Sequence, residues 1–266
     1  MSKVIELPKK GRLIVVTDIH GNKDDFDKYI DIWDRDDPNC HILFTGDLIH
    51  EIDYSKDLSL DILDECIEYF FMPNFHVLLG NHELAQITNE SVWKYEVNQT
   101  KDFTQHIIDR VEEEYKPEVV KQLCAIKKFR YDILMKNFDY FCITENGFFF
   151  SHAGISHSAL NQLIHQKVDL FDLNIKKPVD YKFLENMIWS RPYDDYMEAE
   201  IDDFLKIVGC KFMCVGHTPY NGCHILGNQL IFDSSFCTDN KLYLDIDLSK
   251  DYKDIFEVLK CLEELE

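Results

Sequence analysis

Phe75-His76-Val77-Leu78-Leu79-Gly80-Asn81-His82-Glu83 is the stretch on which the fold turns. Its first five residues have the length and apolar bulk of a buried strand. Gly80 lets the chain turn sharply. An amide, an imidazole and a carboxylate then stand just past the strand end, where open α/β sheets place their ligands. Three other stretches repeat the design, an apolar strand followed by a tight turn bearing metal-type ligands. They are Leu13-Ile14-Val15-Val16-Thr17-Asp18-Ile19-His20-Gly21, His41-Ile42-Leu43-Phe44-Thr45-Gly46-Asp47 and Phe212-Met213-Cys214-Val215-Gly216-His217. Phe148-Phe149-Phe150-Ser151-His152-Ala153-Gly154 is close to it.

Between the first three of these strands the periodicity is helical. Asn22 is placed to cap a helix over 22–34 with Phe26, Tyr29, Ile30 and Trp33 on one face. A second helix over 58–70 turns Leu60, Leu63, Ile67 and Phe70 inward, and Pro73-Asn74 ends it. The order βαβαβ implies a parallel sheet with right-handed crossovers. From Leu84 to about Asn137 the strand signal vanishes, and Phe103, Ile107, Ile108 and Val111 recur at helical spacing, as do Val119, Val120 and Leu123. Residues 85–138 therefore read as a helical insertion, or cap, after the third strand of a single domain over 1–266. Coming directly after Asn81 and His82, it is expected to line the mouth of any site there. Trp93, Tyr95 and Phe103 are available either to stack on an aromatic group or to pack between helices.

Strands follow at 140–144, 147–151, 212–215, 225–226, 229–232 and 242–246, with helices at 158–166, 199–208 and 256–262 and an irregular stretch between the first two of these. The first half is expected to supply one sheet and the second half another. Helices outside two packed mixed sheets give a four-layer α-β-β-α sandwich.

The chain has 266 residues, a net charge of −21 and 45% hydrophobic residues. The charge disfavours non-specific binding to nucleic acid, which needs a positive face, yet leaves room for a small phosphorylated substrate at a local positive site. No apolar run approaches a membrane span, and the first ten residues show no secretory signal. Nine scattered cysteines then read as reduced thiols of a cytoplasmic protein. Cys210, Cys214, His217, Cys223 and His224 cluster in sequence, but their spacings do not fit paired zinc ligands.

Asp18, His20, Asp47, Asn81, His152 and His217 are oxygen and imidazole donors, which suit Mn²⁺, Fe or Zn²⁺. They are too many for one catalytic metal with an open position and suit two divalent ions sharing a carboxylate, a device for phosphoryl transfer.

Asp18-x-His20-Gly21, Gly46-Asp47, Gly80-Asn81-His82-Glu83, His152-Ala153-Gly154 and Gly216-His217-Thr218-Pro219 resemble, in order, the motifs of the calcineurin-like metallophosphoesterases. The last three are similar to those of the phosphoprotein phosphatase branch, which includes protein Ser/Thr phosphatases and symmetrical diadenosine-tetraphosphate hydrolases. The resemblance implies that Asp18, His20 and Asp47 hold one metal, and that Asp47 bridges to a second held by Asn81, His152 and His217. It makes His82 the general acid. Trp189-Ser190-Arg191-Pro192 resembles the stretch from which bacterial members supply a phosphate-binding arginine, so Arg191 is the expected clamp, with Asn81 beside the substrate.

The second motif departs from the branch. His50 stands where an aspartate normally orients the acid, Glu51 where an arginine grips phosphate, and Leu84 where another arginine follows Asn-His-Glu. His50 either orients His82 as a neutral acceptor or contacts phosphate; Asp53 and Asp57 are the other candidates for the orienting role. The expected function is hydrolysis of phosphate monoesters, on phosphoproteins or small phosphoesters, by a metal-activated hydroxide. The alternatives are hydrolysis of dinucleoside polyphosphates and a metal-binding scaffold with weakened turnover.

Overall fold

A computed structural model describes residues 2–94 and 96–266, and Tyr95 lies outside them. In chain order the first half holds β1 (Val4–Leu7), β2 (Arg12–Val16), α1 (Lys23–Ile32), β3 (Cys40–Phe44), α2 (Ser59–Tyr69), β4 (Phe75–Val77) and α3 (Asn81–Thr88). A short hairpin, β5 (Trp93–Lys94) and β6 (Val97–Asn98), precedes α4 (Gln99–Glu114) and α5 (Pro117–Asn137). The rest comprises β7 (Phe141–Thr144), β8 (Phe148–Phe150), α6 (His157–His165), α7 (Pro178–Ile188), α8 (Glu198–Val208), β9 (Phe212–Val215), β10 (Cys223–Leu226), β11 (Gln229–Phe232), β12 (Leu242–Asp247), α9 (Ile255–Leu259) and β13 (Leu262–Glu264).

The strands form two mixed sheets, in the orders β13-β12-β2-β3-β4 and β1-β7-β8-β9-β11-β10. Period-two alternation sorts the side chains. Leu13, Val15, Leu43, Phe148, Phe150, Cys214, Leu230, Leu244 and Ile246 form the apolar layer between the sheets. Ile14, Val16, Ile42, Phe44, Phe149, Met213, Val215 and Ile231 face the helices outside. Strands apolar on both faces read as unbroken hydrophobic runs. Each fully buried Phe or Leu contributes about 1.5–3 kcal/mol. The result is the expected α-β-β-α sandwich.

Local signals fix the elements. Asn22 caps α1 by accepting the Asp25 amide, and proline occupies the first turn of both α5 and α7. No helix among the described residues is long and apolar enough to cross a membrane.

The structure corrects the sequence reading in these places. The sheets do not divide by halves of the chain, because β12 pairs antiparallel with β2 and β1 pairs parallel with β7. The stretch read as irregular contains α7, whose Phe183, Leu184, Met187 and Ile188 are buried at helical spacing. The closing helix stops at Leu259, and Leu262–Glu264 adds a strand beside β12. Of the two roles open to Phe103, packing holds: it is fully buried against His50 and Tyr131.

β2, β3 and β4 run parallel, as do β8 and β9. Their C-terminal ends therefore collect at one edge of the sandwich, and the turns that follow them build the site.

Candidate active site

Asp18 and His20 follow β2, Asp47 follows β3, Asn81 opens α3, His152 follows β8 and His217 follows β9. All are buried. His20, Asp47 and His217 have φ of 48°, 52° and 65°. Non-glycine residues adopt this left-handed region at a conformational cost of about 1–3 kcal/mol, and such strain concentrates at functional sites. Glycines make room for the carboxylates. A Cβ on Gly80 would stand 2.2 Å from Asp47 Oδ1, and one on Gly216 would stand 2.5 Å from Asp18 Oδ1.

Asp47 is the hub. Its Oδ2 lies 3.5 Å from His20 Nε2, 3.4 Å from His152 Nε2 and 3.9 Å from His82 Nε2. His20 Nδ1 donates to the His50 carbonyl and His152 Nδ1 to the Thr45 carbonyl. A carbonyl only accepts, so both rings turn bare Nε2 lone pairs toward Asp47. His152 Nε2 also faces Asn81 Oδ1 at 2.8 Å and His217 Nδ1 at 3.1 Å. Asp47 Oδ2, His152 Nε2 and Asn81 Oδ1 therefore meet as acceptors, and a proton or a metal cation relieves that arrangement. Burial lowers the His152 pKa, but Asp47 and Asp18 outweigh it and push it up to about 9. Burial would raise Asp47, yet His152, His82 and His20 hold it well below the usual carboxylate range. A site that demands a proton so strongly is built for positive charge. The His217 Nε2 atom is buried with no hydrogen-bond partner. The donor set fits divalent metal ions.

The closest groups are His20, Asp47 and His82, and Asp47, His152 and His217. Asp18 belongs to neither. Its carboxylate accepts the His217 amide at 3.1 and 3.0 Å, and burial pushes its pKa up to about 6.

His82 lies beside Asp47 on the cleft, with its Nδ1 3.1 Å from His50 Nδ1. Burial foremost, then His20, drives the His50 pKa down to about 3. Gln86, one turn along α3 from His82, faces His50, and His50 Nε2 and Gln86 Oε1 are both buried with no hydrogen-bond partner. Asp53 and Asp57 are engaged elsewhere: Asp53 caps a turn at Ser55, and Asp57 accepts from Ser59 and lies 3.5 Å from His106. Glu51 accepts the Ile52 amide, and Leu84 is core.

The sequence named Glu83 without a role. It is fully buried and accepts the amides of Asp47, Leu48, Ile49 and Gly80 at 2.8–3.2 Å. It thus ties the Asp47 loop to the start of α3. Burial and the Asp47 charge push its pKa up to about 7, against those donors. Its position at the third residue of a helix begun by glycine was the available signal. Gln86 gave none.

A cleft of about 290 Å³ opens over this cluster, walled by Trp93, Gln99, Trp189, Arg191 and Phe236. The Arg191 backbone is fixed by its amide on Asp195, and Trp93 is 62% exposed.

The calcineurin-like phosphoesterase family model matches residues 11–221. The chain belongs to this family. Phosphatases of known structure share its fold. A protein serine/threonine phosphatase from Saccharomyces cerevisiae with similarity to human phosphatase PP5 is 15% identical, with a TM-score of 0.62 over 92% of this chain and 76% of that one. A cold-active protein-tyrosine phosphatase of a psychrophilic Shewanella is 18% identical, with a TM-score of 0.64 over 99% of this chain and 84% of that one. No curated protein sequence matches the chain. Family and fold together make it a metal-dependent phosphoesterase, a hydrolase.

Proposed function

We propose that the chain hydrolyses phosphate monoesters, of phosphoproteins or small molecules, with two divalent metal ions, Mn²⁺ foremost and Fe or Zn²⁺ as alternatives. The observation that carries this reading is the set of acceptor atoms converging on Asp47 Oδ2 and His152 Nε2. Asp18, His20 and Asp47 would hold one ion, and Asp47, Asn81, His152 and His217 the other. When bound, such ions activate water and brace an in-line displacement at phosphorus.

The chain's own residues do the rest. Arg191, on the cleft wall, is a planar donor suited to the phosphoryl oxygens, and Asn81 lies beside them. His82 protonates the leaving oxygen. His50 positions it: with His50 Nε2–H on the side of Gln86, its Nδ1 is a lone pair that accepts Nδ1–H of the His82 imidazolium, whose Nε2–H faces the cleft and is the proton given to the leaving oxygen. Buried thiols such as Cys40, Cys66, Cys142 and Cys214 serve as small apolar side chains, which suits a reducing, cytoplasmic setting.

A second reading, hydrolysis of a dinucleoside polyphosphate, is favoured by Trp93 and Trp189 on the walls of the same cleft. Indole faces stack on bases. The test is Mn²⁺-loaded protein on p-nitrophenyl phosphate, phosphopeptides and dinucleotides. Turnover of monoesters supports the first reading and preference for dinucleotides the second. Loss of neither activity on metal removal overturns both.

A further inference from the structure

Helix α5 has two apolar faces. One buries Tyr131, Leu134 and Met135 in the domain. The other turns Val119, Ile126, Phe129 and Ile133 to solvent, with Ile126 61% and Phe129 65% exposed. Scattered exposed apolar residues are ordinary. Here the steps of seven, three and four residues put all four on one line, as in the seam of a two-helix coil. The stripe runs about 21 Å along the helix. A helix that only capped the domain would carry polar residues there.

The charges beside the stripe say what covers it. Glu118 stands at one end and Lys136 at the other, about five full turns apart and so on the same flank. Both are exposed, and neither has an ion-pair partner among the described residues. Laid antiparallel, a second α5 sets Val119 against the partner's Ile133 and Glu118 against the partner's Lys136, at both ends at once. Ile126 and Phe129 then flank the two-fold axis. A parallel pair would put the two flanks that carry these charges on opposite sides of the seam, with no such contact. A stripe that complements itself under a two-fold rotation fits an isologous interface.

We propose that two copies of this chain pair through α5, antiparallel about a two-fold axis between Ile126 and Lys127. The inference is independent of the reaction and leaves the cleft unaltered.

Sedimentation equilibrium of the full chain tests it. The wild type is expected to be a dimer and Phe129→Glu a monomer. Phe129 is exposed, so circular dichroism should be unchanged; Ile126→Lys is the second variant should the first misfold. Glu118→Lys or Lys136→Glu should each weaken the dimer roughly tenfold through two lost surface pairs, and the double reversal should restore it. A monomeric wild type overturns the proposal. So does a dimer that both apolar variants leave intact, or a double reversal that recovers nothing.

Discussion

His50 Nδ1 lies 3.1 Å from His82 Nδ1, two buried imidazoles sharing one proton. The pair stands where the family's motif pairs an aspartate with a histidine. The protonation of the leaving group, if His82 is the acid, depends on which tautomer His50 holds.

If His82 is the acid, His82→Ala keeps the metals and lowers kcat by roughly 10²–10⁴ on alkyl phosphates, with a smaller loss on activated aryl phosphates. Gln86→Leu should act in the same direction, because it frees His50 to present Nδ1–H. His50→Asp should raise kcat for poor leaving groups. Steady-state kinetics on both substrate types decide the matter. Equal losses on both would remove His82 from this role.

Asp47→Asn is expected to reduce metal content from about two ions per chain to none, since one carboxylate serves both sites. Elemental analysis after Mn²⁺ loading reads this directly. Retention of one ion would show that Asp47 does not bridge.

Glu83→Gln should destabilise the metal-free chain by about 2–4 kcal/mol, because the new amide NH₂ faces backbone donors that had an acceptor. Each Glu83 oxygen takes two amides, so no rotamer of glutamine avoids the clash. Urea unfolding measures the loss. A variant as stable as wild type would deny Glu83 its anchoring role.

Far from the site, His41 Nδ1 and His76 Nε2 are 3.1 Å apart. Burial and then His41 lower the His76 pKa to about 3, and burial lowers His41 as well. Unfolded histidine titrates near about 6.5. Between those values the unfolded chain binds more protons, so stability is complete above about pH 6.5 and falls as pH drops toward the folded values. The slope reaches about 1.4 kcal/mol per pH unit for one such group. His76→Leu should flatten the curve between about pH 6.5 and 5, above most carboxylate titration. Parallel curves for the two proteins would refute the assignment.

Trp93→Ala should raise KM for aryl and nucleotide esters while leaving small alkyl phosphates unaffected, if the indole stacks on the leaving group. An unchanged KM across the panel would return Trp93 to the surface.

Much of this was legible from the residues alone. Strand ends announce themselves because buried parallel strands are continuous apolar runs and the turns after them carry chemistry, as at Asp18 and Asp47. Partnership across the sheets was not legible. Nothing local in Leu242–Asp247 says that it pairs with β2 and not with β11, because pairing depends on which edge remains open. Gln86 was equally hidden. A glutamine in a helix looks solvent-facing until the fold sets it against His50. Phe103 was open to two roles, since an aromatic beside a site motif can stack or pack, and packing against Tyr131 of α5 decides for the core.

Because β12 stands between β2 and β13, an early strand waits for two that follow it by more than two hundred residues. Until residues 242–264 have left the ribosome, β2 is an unpaired edge bearing two apolar faces, the kind of surface that recruits foreign strands. β1 meanwhile waits for β7. A chain cut short of β12 should therefore be a substrate for chaperones and proteases, whatever metals it meets.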